Sequence, residues 1–252
     1  MNPRTGLLCG AVCCLLGSAV LGSAAAFAQE PGQKTFASPA EAAHALANAV
    51  AANNEQALAA ILGNGVLSPD KEAARLERQN FTQKYNQMHR LLQEQDGAML
   101  LYIGAENWPF PVPLVSNNGR WFFDSQAGKQ EILYRSIGEN EITAMDVADA
   151  FTAARKRSAR KVSTADPAPE TAERLAAAPP GTEESFSGYN FRVAGKGGVA
   201  LVAYPAEYRV TGVTTFVLTN DGKLYEKDLG KDTAQVARRI QAPPDSGWHP
   251  VR

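Results

Sequence analysis

Carboxylates are the side chains in this sequence best suited to acid–base chemistry. Asp124 with Glu131, and Glu226 with Asp228, lie close enough in the chain for a fold to bring one member into a pocket as base and leave the other as acid. Their spacing does not demand that role. Asp124 precedes a helical pattern and is placed to cap it, while "YEKDLG" alternates charges as a solvated sheet edge does. The three histidines, His44, His89 and His249, form no pair at helical spacing that would grip a metal, and no serine after Ala28 sits in a G-x-S-x-G turn. No cofactor and no metal are therefore expected. Aromatics are the other candidates: Trp108, Trp121, Tyr189, Tyr204 and Tyr208 are able to stack on a sugar or peptide, but aromatics alternating in strands mostly build cores and cross-strand pairs. Trp108 and Tyr208 fall in expected loops. The candidate ligand-binding set is thus Trp108, Asp124, Glu131 and Tyr208, with no catalytic residue assigned.

The elements that must position these groups follow from periodicity. Ser38-Pro39-Ala40-Glu41 is a capping box, and Ala42, Leu46, Ala49 and Val50 continue at helical spacing, which predicts a helix over 38–52. A second helix begins at Asn53 or Asn54, carries Leu58, Ile61 and Leu62, and stops at Gly63. A third runs from Ser68-Pro69 to about Gln95, with Phe81, Tyr85, Met88 and Leu92 on one side. Strands follow at Ala98 to Gly104, Phe110 to Val115 and Arg120 to Asp124, with Asn117-Asn118-Gly119 as the hairpin turn. Alternating prolines at 109, 111 and 113 remove donors from one side, so that strand is expected at a sheet edge, with Phe110, Val112 and Leu114 on one face and Trp121 and Phe123 on one face of its partner. Helices are expected from Asp124 to Gly138 and from Glu139 to Arg160. Residues 161–187, rich in Pro, Ala, Thr and Glu, read as a linker with a short helix at Glu170 to Ala178. Strands at Gly188 to Ala194, Val199 to Tyr204, Val213 to Thr219 and Lys223 to Lys227, and a closing helix over Ala234 to Ile240, complete the chain. The class is α+β: N-terminal helices on a small antiparallel sheet at 29–160, then a second small antiparallel sheet with a C-terminal helix at 188–252.

Composition sets the compartment. The segment from Met1 to Ala28 carries one cation, Arg4, then an apolar run and Ala26-Phe27-Ala28, the order of a secretory signal peptide cleaved after Ala28. Export to the periplasm or medium is expected, with no stable membrane anchor after cleavage. Cys9, Cys13 and Cys14 all lie in the removed segment, so the remaining chain has no thiol for a disulfide or a zinc–thiolate site. With 25 basic and 26 acidic residues and no strong basic cluster beyond one helix end, nucleic acid is not an expected partner.

Long stretches then carry a resemblance. "LYIGAENWPFPVPLV", "GRWFFDSQAGKQEIL" and "GVALVAYPAEYRVTGVTTFVLTNDGKLYEKDLGKDTAQVA" resemble the bacterial family known as domain of unknown function 2950, from about Phe36 to Trp248. The resemblance implies an exported bacterial protein and brings no activity, cofactor or catalytic residue to carry over. Members have a longer Gly- and Tyr-rich insertion before the "GYNFRV" strand, where this chain has only its Pro/Ala segment. The first half also looks like the cone-shaped nuclear-transport-factor-2-like fold and the second like a pilin head, both as analogies of fold. Two functions remain open. One is a non-catalytic interaction module of the cell envelope whose partner is a protein or a cell-wall component; the other is a small-ligand-pocket enzyme using a buried carboxylate as general base.

Overall fold

Ser38 Oγ accepts from the Glu41 N–H and Glu41 Oε2 accepts from the Ala37 N–H, so the expected capping box forms and α1 runs Pro39–Ala51. The computed structural model describes residues 29–160, 170–195 and 197–251; the expected signal peptide and its cysteines lie outside the described residues. Helix α2 (Glu55–Leu62) is capped by Asn54 and ends at Gly63, whose φ of 79° only glycine adopts readily. Helix α3 (Lys71–Gln87) takes its cap from Asp70, slightly later in the chain than expected.

The expected continuation of α3 to Gln95 is corrected by the structure. Met88 is extended (φ −165°, ψ 140°) and His89–Gln93 is a strand, β1, paired along its whole length with β2 (Met99–Ile103). The Gly104 N–H donates to both Lys84 O and Met88 O and closes the helix end. Helical spacing of Met88 and Leu92 is overridden by that pairing: Leu91 packs on the core, and Leu92 faces solvent.

The first sheet continues with β3 (Trp108–Pro109), β4 (Leu114–Asn117) and β5 (Arg120–Phe123), in the order β1-β2-β4-β5 with β3 also on β2. The expected edge position is wrong, because β4 lies between β2 and β5. Pro111 and Pro113 sit outside any strand, so their missing donors interrupt no ladder. The grouping of side chains is as expected. Phe110, Val112, Leu114, Trp121 and Phe123 join Phe36, Leu46, Leu58, Phe81, Leu101 and Ile103 in one core between helices and sheet. Phe122 and Val115, one residue out of phase, meet Ala98 on the other face.

Asn118 (φ 51°) and Gly119 (φ 74°) supply the two positive φ values of a tight hairpin turn. A Cβ at Gly119 meets nothing within 4 Å, so only the backbone opposes a side chain there. Gly119→Val is expected to cost about 1–3 kcal/mol through that strain, read from urea denaturation.

After β5 the chain enters α4, a continuous helix Ser125–Arg160 of 36 residues, about 54 Å long at the usual rise. The expected stop at Gly138 does not occur. Gly138 keeps a helical backbone rather than the left-handed one that ends helices, and no proline follows it within α4. The start of α4 packs against the first unit: Ser125 Oγ donates to Leu62 O, and Lys129 pairs with Glu30. Its second half, through Ala144, Val147, Ala148 and Phe151, helps build the second core.

The second sheet is antiparallel, with order β11-β10-β9-β8-β7-β6. Its strands are β6 (Glu183–Phe186), β7 (Tyr189–Val193), β8 (Val199–Pro205), β9 (Thr214–Thr219), β10 (Leu224–Asp228) and β11 (His249–Pro250). The segment expected as a linker carries α5 (Glu170–Ala177), close to the short helix read from sequence, and also β6, which the sequence does not announce. Every residue of β8 is buried: α4 and α5 cover one face through Tyr189, Phe191, Leu201 and Phe216, and α6 (Thr233–Ala237) with the C-terminal segment covers the other through Val202, Tyr204 and Val217. That explains the unbroken apolar run "VALVAYP". The fold is α+β.

Candidate functional site

The Arg135 guanidinium ties two of the four candidates together. It lies 5.1 Å from the centre of the Trp108 ring, its Nε donates to Glu131 Oε1 at 2.7 Å, and its Nη1 donates to Pro109 O at 2.8 Å. Each position has a local cause. Trp108 is held by pairing with Ile103 in β3, not in the loop expected for it, and Glu131 and Arg135 stand one helical turn apart on α4. The indole remains 38% exposed. A tryptophan with one face stacked on a tethered cation is a rigid platform that loses little freedom when something docks against it.

Beyond Arg135, α4 exposes apolar side chains, of which Tyr134 and Ile142 share one face while Ile132 and Leu133 point elsewhere around the helix. Ile132 and Leu133 are exposed, Tyr134 is 57% exposed and Ile142 is 56% exposed. Sequence reasoning missed Arg135 and this face. The signal was legible, because Tyr134, Gly138 and Ile142 recur at i, i+4 and i+8, but a helix stop at Gly138 divides the row between two helices.

The other two candidates lie elsewhere. Asp124 is 8% exposed and its Oδ1 accepts from the Gln126 and Ala127 N–H groups at the start of α4, which is the capping role its sequence position suggested. Tyr208 belongs to the β8–β9 connection, bridges Gly212 rather than lying in a free loop, and donates its hydroxyl to Asp228 Oδ2 at 3.0 Å. Of the remaining aromatics, Tyr189 and Tyr204 are core residues.

The carboxylates with displaced acidity are held low. Glu30 is lowered by the Asn64 N–H and by Lys129. Burial works to raise Glu183, but hydrogen bonds from Arg238 and Tyr204 outweigh it. Asp221 is lowered by the Thr219 hydroxyl and Lys223. Glu141 acts as a fastener, because its Oε1 accepts from the Val213 and Thr214 N–H groups at 2.9 and 3.0 Å and so joins the middle of α4 to the start of β9. Burial, reinforced by that carboxylate, pushes the Tyr189 hydroxyl far above the ordinary tyrosine value.

A cavity of about 340 Å³ lies under the C-terminal segment, lined by Arg239, Gln241, Pro243, Asp245 and Trp248. None of the four candidates lines it. His44 and His89 come together with ring centres 6.3 Å apart, and His89 stacks on Tyr85. Among the described residues no group of three or more His, Cys, Asp or Glu is arranged to hold a metal, and no helix is long and apolar enough to cross a membrane.

Neither a curated protein nor a solved structure matches the chain. A family model described as a protein of unknown function (DUF2950) matches residues 33–187 and 180–251, spanning both sheets and the helix between them. The chain belongs to the DUF2950 family.

Proposed function

We propose that the protein is an exported bacterial interaction module that works without catalysis, docking a protein or cell-wall component of the envelope on the surface formed by Trp108 and the outward side of α4. The observation that carries this reading is the partly exposed Trp108 indole, backed by Arg135, itself held by Glu131 and Pro109 O, on a helix that also leaves Tyr134 and Ile142 exposed. Tryptophan, tyrosine and arginine are the residues that dominate binding energy at protein interfaces. Export with cleavage after Ala28 rests on the charged, apolar and small-residue order of the segment from Met1 to Ala28. Near-neutral charge supports a partner other than nucleic acid.

The rival, a pocket enzyme with a buried general base, needs a carboxylate raised towards neutrality. Glu30, Glu183 and Asp221 are displaced the other way, and Asp124 spends its oxygen on a helix cap.

Trp108→Ala is the direct test. Removing a partly exposed side chain and its contact with Arg135 is expected to leave stability within about 1 kcal/mol of the parent. Retention of the envelope partner in a quantitative pull-down should fall about tenfold or more. Asp124→Asn keeps a capping oxygen and is expected to change neither quantity. A turnover activity that disappears in Asp124→Asn while Trp108→Ala binds normally would favour the enzyme.

A further inference from the structure

The fold brings together two of the three histidines, far apart in the chain and without a shared motif. His44 stands at an exposed position of α1 and His89 opens β1, and their ring centres are 6.3 Å apart with the planes at 74°. Both residues are exposed, so ions in solution reach them. Hydrogen bonding decides which nitrogen of His89 is free. Its Nδ1 lies 2.9 Å from the Tyr85 carbonyl oxygen. A carbonyl oxygen only accepts, so Nδ1 carries the proton and Nε2 of the neutral ring keeps its lone pair. The same ring lies flat on the Tyr85 ring, with centres 3.9 Å apart and planes at 6°, and Tyr85 is buried in the first core. The imidazole of His89 is thus held in both orientation and tautomer. An Nδ1–H donated to a backbone carbonyl is the contact that orients metal-binding histidines through their other nitrogen. His44 has no hydrogen-bond partner among the described residues, and its ring contact is with His89.

We propose that His44 and His89 form a two-histidine site for a late first-row divalent cation, with Cu2+ bound most tightly. The inference goes beyond the contact surface on α4 and does not depend on it. The span of the pair suits one ion. An imidazole centre lies about 3.2 Å from a metal held at about 2.0–2.1 Å by one ring nitrogen, so two rings on one ion stand about 5 Å apart in a tetrahedral arrangement and about 6.4 Å apart when opposite each other. The observed 6.3 Å falls at the wide end of that span, and turning the exposed His44 side chain between its staggered rotamers gives access to the narrower geometries. The donors select the class of ion. Imidazole suits copper, nickel and zinc, whereas magnesium and calcium take oxygen ligands, and the usual order of affinities places Cu2+ above Zn2+. Among the described residues no third His, Cys, Asp or Glu joins the pair, so water completes the coordination. Because the two ligands come from α1 and from the strand that follows α3, an ion on both favours the folded chain and ties these elements together.

The test uses the full chain carrying Cys9→Ser, Cys13→Ser and Cys14→Ser, without an affinity tag, so that no thiol competes for the metal. Titration with CuCl2 in a non-coordinating buffer should give one Cu2+ per chain by calorimetry, and ZnCl2 should bind the same site more weakly. His44→Gln and His89→Gln should each weaken Cu2+ binding about tenfold or more, and both change exposed positions, so the melting temperature of the metal-free protein should stay where it is. His249→Gln, on β11, should bind as the parent does. Electron paramagnetic resonance of the Cu2+ complex should report two imidazole nitrogens in the parent and one in either variant. Excess Cu2+ should raise the melting temperature of the parent and not of the variants. Equal affinity in the parent, His44→Gln and His89→Gln, or a spectrum with a single imidazole in the parent, would overturn the site, and so would a loss of binding confined to His249→Gln. If His89→Gln unfolds because its ring no longer rests on Tyr85, His44→Gln on the helix surface decides the matter alone.

Discussion

Phe123→Ala is expected to remove about 3–5 kcal/mol of stability, the range for emptying a buried aromatic site. Phe123 is fully buried, pairs with Leu114 across the hairpin and meets the Phe110 ring edge-on with centres 6.1 Å apart. Its carbonyl accepts from the buried Gln33 Nε2 at 2.7 Å, and the same amide group donates to Ile61 O. Phe123 therefore lies where the N-terminal segment, α2, β5 and the entry to α4 meet, with its ring inside the first core. Trp121→Ala should cost less, because that ring is only partly buried at the rim of the same core. Urea denaturation of both variants gives the comparison. A loss below about 1 kcal/mol for Phe123→Ala, the scale of a surface change, would contradict the packing described for β5.

Glu141→Ala carries the second large effect, about 2–4 kcal/mol, because hydrogen bonds to a charged group are strong and the donors left behind are partly buried. The Val213 and Thr214 N–H groups open β9 and have Glu141 Oε1 as their acceptor, and the Tyr189 hydroxyl, which donates to Thr214 O at 2.8 Å, packs beside it. Glu141→Gln keeps a carbonyl oxygen in the same place and should lose less than half as much. Equal losses in the two variants would mean that the negative charge, and not the accepting oxygen, holds α4 to the second sheet.

The local elements were legible where the signal is local. Ser38-Pro39-Ala40-Glu41, Asn54, Gly63 and Asn118-Gly119 each fix a cap, a stop or a turn through chemistry within a few residues, and each acts in the structure as its sequence suggests. What sequence reasoning misplaces depends on partners distant in the chain. His89–Gln93 looks like the end of α3 until β2 is beside it, and the prolines at 111 and 113 suggest an edge strand, whereas they fall in the break between β3 and β4, which pair in turn with the same side of β2, and β5 then covers β4. Gly138 suggests a stop because glycine often ends helices, yet the decisive variable is the backbone angle it adopts, which residue type alone does not determine. At the candidate site, what brings Trp108 and Glu131 together is Arg135, a residue with no motif around it, contributed by a helix that begins only after the hairpin closes. Asp124 was readable as a cap because the helix it caps follows immediately.

Photo-cross-linking in exporting cells tests the proposed contact surface most directly. With benzoylphenylalanine replacing Tyr134, illumination should give a discrete adduct, whose mass reports whether a second copy or another envelope molecule is held. The same probe replacing Leu76, a comparably exposed residue on α3, should give none. No adduct at position 134, or adducts of equal yield at both positions, would contradict the account of α4 and Trp108 as an interaction surface.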